Sequence, residues 1–180
     1  NLHNSGLKSS PSLYKHNILG PFRTNFNAGD VITNNIENTN IIYGASKGNT
    51  SIYKSLDNGI NWFQAGNGLP STNNVVRACV AVTPDNPSVV YALFGDNNNG
   101  FYGLYKSTDE GANWTQQSDS PNLLGWSTTG SDNDGQAWYD LALAVSPTDE
   151  NIVFDSYMIE DKDLKENQPR LLSVDNEVVV

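Results

Sequence analysis

Apolar residues in this chain fall into short runs separated by clusters of Gly, Asn, Asp and Pro. IIYGAS, then SIYKSLD and NWFQAG, then VVRACVAVT are the first such runs; VVYALFG, GLYKSTD, NWTQQS and DLALAVS follow in the same order. Each has strand length, is rich in branched and aromatic residues, and is bounded by turn formers. No stretch keeps a sustained helical period, so the pattern predicts an all-β chain.

The runs repeat. YKSLDNGINW, residues 53 to 62, returns as YKSTDEGANW at 105 to 114. A second element, a turn feeding a strand, occurs as IENTNIIYGA (36 to 45), TPDNPSVVYAL (83 to 93) and SPTDENIVFDS (146 to 156). The two elements alternate at about 50 to 60 residues per unit, the size of one four-stranded propeller blade with its loops. The expected organisation is a lead-in at 1–30, a first blade at 31–79, a second at 80–143 with an inserted loop at 118–138, and the start of a third unit with a divergent tail at 144–180. In that tail SVDNEVVV starts like the repeat with Ser173 and Asp175, but Glu177 stands where glycine is needed and Val180 where tryptophan stood, so the same hairpin is not expected. EDKDLKEN reads as a short exposed helix or a solvated loop.

The repeated motif explains itself as a turn. Asp57 and Asp109 are placed to accept backbone N–H groups, Gly59 and Gly111 to supply positive φ, and Ser55 and Ser107 to add a hydroxyl bond across the turn. Trp62 and Trp114 leave the turn with enough surface to anchor the hairpin.

SLDNGINW and STDEGANW resemble Asp-box, or BNR, repeats, found in β-propellers of sialidases, of xyloglucanase-type glycoside hydrolases and of the sortilin luminal domain. The run from GLYKSTDEGANW to SPTDENIVF is most similar to secreted propeller proteins of Bacteroidetes-type bacteria, with the likeness extending over about residues 20 to 154. The resemblance implies a partial β-propeller of two to three four-stranded antiparallel blades with Asp-box hairpins. It also implies a secreted or cell-surface location and contact with glycans or proteins. In such families the box lies on the blade periphery, away from the substrate face, so catalysis would have to come from elsewhere. Sialidases bind their substrate carboxylate with three arginines; here the arginines are Arg23, Arg77 and Arg170, and only Phe22-Arg23 starts the family's arginine element. Where xyloglucanase-type enzymes place an early aspartate this chain has Lys47, which cannot act as a glycosidase carboxylate at ordinary pH.

Outside the repeats, LGWSTTGSDNDGQAWYDLALAV (124 to 145) carries Trp126, Asp132, Asp134, Trp138, Tyr139 and Asp140. Aromatic faces beside carboxylates suit sugar stacking and hydroxyl hydrogen bonding, and inserted loops on a rigid scaffold are usual places for ligand contacts. Asp132-x-Asp134-Gly135 alternates like a small Ca²⁺ loop but lacks the further oxygen ligands of a full site, and the structural reading outweighs it: an ordinary turn, with Trp138-Tyr139 starting a packed strand and Asp140 bonding at its edge. No other cofactor or metal is expected.

Composition narrows partners. The net charge is −10 with a pI near 4.4, and Lys and Arg together number 10, scattered. That excludes the clustered cations that nucleic acid or an anionic lipid surface requires. No apolar run approaches a membrane span, and no signal peptide precedes Asn1, so the start reads like the middle of something. With two full blades, where closed propellers need about four or more, the chain is expected to be a piece of a larger propeller whose remaining blades are its partners, or to complete itself by association. Cys79, the one cysteine, lies in VVRACVAV and reads as a buried strand residue; His3 and His16 have no metal-binding spacing. The sequons at Asn49 and Asn113 are unremarkable in so Asn-rich a chain.

The resulting expectation is a non-catalytic segment of a secreted or cell-surface propeller, a scaffold or a glycan- or protein-binding module. The alternative is part of a glycoside hydrolase whose catalytic set is completed outside the chain, and a third reading is a sortilin-like peptide receptor.

Overall fold

The computed structural model of the chain describes residues 31–35, 37–46, 51–139, 141–155 and 171–173. They form three antiparallel sheets. The first contains β1 (Val31–Asn34), β2 (Ile42–Ala45), β3 (Ile52–Ser55) and β4 (Phe63–Gln64), in spatial order β1-β2-β3-β4. The second repeats the meander with β5 (Val75–Val82), β6 (Val90–Asp96), β7 (Phe101–Ser107) and β8 (Thr115–Ser118). The third pairs β10 (Ile152–Asp155) with β9 (Leu143–Val145) on one side and β11 (Leu171–Ser173) on the other. Among the described residues there is no α-helix, only a 3₁₀ turn at Thr72–Asn74 before β5. No described helix is long and apolar enough to cross a membrane.

The first strands of the sheets lie side by side, β1 against β5 and β5 against β9. Successive meanders fanned about their first strands are the blades of a β-propeller, here two of four strands and a third of three. VVRACVAVT opens the second sheet as β5, and the divisions expected after residues 79 and 143 lie within β5 and β9, the first strands of their sheets. The tail beyond Ser173 and the segment EDKDLKEN lie outside the described residues.

Burial on both faces explains why the central strands read as continuous apolar runs. In β6, Val90, Ala92 and Phe94 enter a core shared with the first sheet, while Tyr91 and Leu93 enter one shared with the third. Adjacent side chains on β5 divide the same way, Ala78 and Val80 to one side and Cys79 to the other. Burial pushes the Cys79 thiol up to about 11, leaving an unreactive core residue. The outer strands β4 and β8 are exposed and polar apart from Phe63.

Both seams between blades use the same device. Tyr43 on β2 and Lys54 on β3 are cross-strand partners, as are Tyr91 on β6 and Lys106 on β7. In the first pair the Tyr43 hydroxyl (3.1 Å) and the Lys54 ammonium (2.7 Å) both donate to the main-chain carbonyl of Glu110 in the next blade. In the second, the Tyr91 hydroxyl donates to the Glu150 carbonyl at 2.9 Å, and Lys106 reaches the Asn151 amide oxygen at 3.0 Å and the Glu150 carboxylate at 3.4 Å. Each ammonium sits 5.6 or 5.5 Å from the ring centre of its own tyrosine, within cation–π range. Turns are also stitched across: Asn35 donates to the Pro87 carbonyl at 2.7 Å, and Thr83 to the Ser146 carbonyl at 2.6 Å.

Candidate functional site

The two repeated hairpins join β3 to β4 and β7 to β8, and their hydrogen bonds match atom for atom. The Ser55 hydroxyl donates to the Asp57 carboxylate at 2.9 Å and accepts the Gly59 N–H at 2.9 Å; for Ser107, Asp109 and Gly111 the distances are 2.7 and 2.8 Å. Asp57 accepts the Asn61 backbone N–H at 2.8 Å and its side-chain amide at 2.6 Å, and Asp109 accepts both from Asn113 at 2.8 Å. Trp62 and Trp114 are buried and donate their indole N–H to the Gly59 and Gly111 carbonyls at 2.9 and 3.1 Å. Gly59 and Gly111 have φ of 83°, and Asn58 and Glu110 before them have 59° and 57°. Nothing in the motif singled out these last two; consecutive positive φ at Asn58–Gly59 and at Glu110–Gly111 reverses the chain within the longer loop that joins each pair of strands.

Both carboxylates therefore point into their own turn. The side-chain amide and backbone of Asn113, with Ser107, hold the Asp109 carboxyl down to about 2; Asn61 backbone and side chain hold Asp57 below its ordinary value as well. A carboxylate so stabilised in its charged form is a poor proton donor near neutral pH.

The second hairpin is also covered from the first blade. Asn67 forms a parallel bridge to Asn113: the Asn67 N–H donates to the Ala112 carbonyl (3.1 Å) and its carbonyl accepts the Trp114 N–H (2.9 Å). The approach needs a glycine beside it, since a Cβ on Gly66 would lie 1.8 Å from the Ala112 oxygen.

The loop between β8 and β9 carries the aromatic and acidic candidates. Its base is fastened by Asn122, whose side chain accepts from Phe101 N–H (2.8 Å) and Leu124 N–H (3.2 Å) and donates to the carbonyls of Asp132 (3.0 Å) and Asp134 (2.8 Å). Leu123, Leu124 and Ala137 are buried in the core shared with the third sheet. Gly135 packs where a Cβ would meet the Leu124 carbonyl oxygen at 2.2 Å, and the N–H groups of Gln136 and Ala137 bond to the carbonyls of Leu124 and Asn99, both at 2.9 Å. The loop is thus a docked element. Trp126, Trp138 and Tyr139 remain 57%, 58% and 39% exposed on it. Trp138 and Tyr139 meet edge to face with centroids 4.2 Å apart, and the Tyr139 hydroxyl donates to Gln136. Arg77 on β5 holds the pair from below, donating to the carbonyls of Trp138 (2.6 Å) and Ala137 (3.3 Å).

The carboxylates are less concerted. Asp132 accepts the Ser127 N–H within the loop, and Asp134 is exposed. Among the described residues no three His, Cys, Asp or Glu side chains gather as a metal site, so Asp132 and Asp134 have no third such ligand beside them. Asp140, Arg23, Arg170 and Lys47 lie outside the described residues. Arg77, the one described member of the arginine set, spends its guanidinium on backbone carbonyls. Sequence reasoning missed the fastening roles of Asn122 and Arg77, whose bonds run to distant carbonyls and leave no spacing signature.

A family model described as cytochrome c oxidase subunit II, periplasmic domain, matches residues 132–180. That segment contains no cysteine and no histidine, the side chains best suited to bind a redox metal. A search of curated proteins found no match. Among solved structures the chain is similar to an ancestral GH74 enzyme, at 20% identity and a TM-score of 0.45, covering 74% of this chain and 17% of that one. It is similar also to YCF48 from Cyanidioschyzon merolae (17% identity, TM-score 0.43, 69% and 30% covered). A third is the GH74 xyloglucanase from Xanthomonas campestris (17% identity, TM-score 0.34, 69% and 26% covered). The chain spans less than a third of the length of each.

Proposed function

We propose that this chain is a non-catalytic section of a secreted or cell-surface β-propeller, in which the two hairpins are Asp boxes that hold blade turns and the loop after β8 binds a glycan or a protein. The observation that carries this reading is the exposure of Trp126, Trp138 and Tyr139 on a loop fastened to the core at its base. Large aromatic faces left in water on a preorganised support lose little conformational freedom on binding, and they suit sugar rings and apolar side chains alike. The box carboxylates do not compete for the role, because each is consumed by its own turn.

The test is binding of the chain to a glycan array and to surface proteins in a pull-down, repeated for Trp126→Ala, Trp138→Ala and Tyr139→Ala. Each change should weaken binding by about 1 kcal/mol, roughly fivefold in Kd. Phe63→Ala, at an exposed aromatic in the first blade, should leave it unchanged. Equal binding in all the loop variants would overturn the assignment. Hydrolysis of fluorogenic glycosides that is lost in Asp132→Asn or Asp134→Asn would overturn the non-catalytic reading.

A further inference from the structure

We propose that Asn67–Gly68 is the site where this protein converts spontaneously to isoaspartate, and that the conversion loosens the seam between the first and second blades. The described residues contain four places where Asn or Asp precedes glycine: Asn58–Gly59, Asn67–Gly68, Asn99–Gly100 and Asp134–Gly135. The reaction needs the glycine nitrogen. It forms a bond to the preceding side chain's Cγ while giving up its proton; for asparagine the Cγ–Nδ2 bond breaks and ammonia leaves with that proton, and for aspartate a Cγ–O bond of the protonated carboxyl breaks and water leaves. Water then opens the five-membered imide at either carbonyl, giving aspartate or isoaspartate.

At three of the four places that nitrogen is engaged. Gly59 N–H donates to the Ser55 hydroxyl at 2.9 Å, Gly100 N–H to the Asp96 carboxylate at 2.8 Å, and Gly135 N–H to the Asn98 carbonyl at 3.3 Å. Each of these nitrogens must give up its own hydrogen bond before it can attack, whereas turning the Gly68 nitrogen strains only the bond from Trp114 N–H to the Asn67 carbonyl of the same peptide unit. Among the described residues Gly68 N–H donates to no acceptor, and the Asn67 side chain is exposed with no hydrogen bond of its own. The consequence is local and structural. Asn67 is the residue whose backbone bridges to Ala112 and Trp114, so an isoaspartate there lengthens the main chain by one carbon within the bridge and adds a carboxylate beside it.

Incubation of the folded chain in mildly alkaline buffer, followed by peptide mapping and labelling with an isoaspartate methyltransferase, tests this. Label is expected first at residue 67, with 58, 99 and 134 lagging, whereas the urea-unfolded chain should lose that order. Asn67→Gln, which cannot close the same five-membered ring, should abolish the early label, and Ser55→Ala, which frees the Gly59 nitrogen, should bring residue 58 forward. In the converted fraction the Trp114 amide should exchange with solvent faster. Label appearing at 58 or 99 as early as at 67, or no lead over the unfolded order, would overturn the site. Unchanged exchange at Trp114 after conversion would overturn the effect on the seam.

Discussion

Asp109 concentrates the hairpin's acid sensitivity in one side chain. Its carboxyl is held down to about 2 from an ordinary 3.8, first by the Asn113 side chain and then by that residue's backbone and Ser107. A depressed carboxyl stabilises the folded form fully above the unfolded value and loses that contribution as pH falls through the folded one. Thermal midpoints of the chain should therefore decline as pH drops from 3.8 toward about 2, and Asp109→Asn should lower the midpoint at neutral pH and flatten that decline. Melts over this pH range check it; an unaltered slope would show that Asp109 does not carry the effect. At this scale the sequence offered Ser, Asp, Gly and Trp at the right spacing, because their bonds close within a few residues of one another. Glu110 at φ 57° was illegible, since its unusual backbone is supported by Tyr43 and Lys54 from another blade, more than fifty positions away.

The loop after β8 is an element without regular secondary structure, and Asn122 substitutes for it. With four side-chain bonds converging on it, Asn122→Ala should destabilise the chain by about 1–3 kcal/mol. Hydrogen exchange should rise at residues 122–137, with little change in β2 and β3; a uniform rise would argue against local fastening. The aromatic residues of this loop were visible in the sequence as a departure from the repeat. That the loop docks was not visible, because Asn122, Gly135 and Arg77 act through main-chain carbonyls, which every residue possesses and no pattern marks. Strands were easier to place than blade limits: VVRACVAV is plainly a strand, but which sheet it joins is decided by pairing with β6, not by its own residues.

For the whole molecule, the seams decide how independently the blades behave. Lys54 is nearly buried and bonded to both the carbonyl and the carboxylate of Glu110. Lys54→Met should cost about 1–3 kcal/mol and loosen the seam between the first two blades. Lys106→Met should do the same at the next seam, with the two effects adding because they share no partner. Urea unfolding of both single variants and the double variant measures this; strong non-additivity would mean that the two seams are energetically coupled. The propeller architecture was legible from the repeat because each unit carries its own turn chemistry. Ligand identity was not, since the repeated residues are spent on turns and seams within the chain. The seam bonds also bear on how such a chain is inherited. At the first seam tyrosine and lysine both donate to one main-chain oxygen, so the receiving blade needs a loop of the right shape; at the second the tyrosine does the same, while the lysine is answered by the Asn151 and Glu150 side chains. A gene that duplicated or exchanged one such unit would keep the contacts made to main-chain oxygen without matching changes in the neighbour, and only a lysine answered as Lys106 is would tie the receiving loop to particular residues.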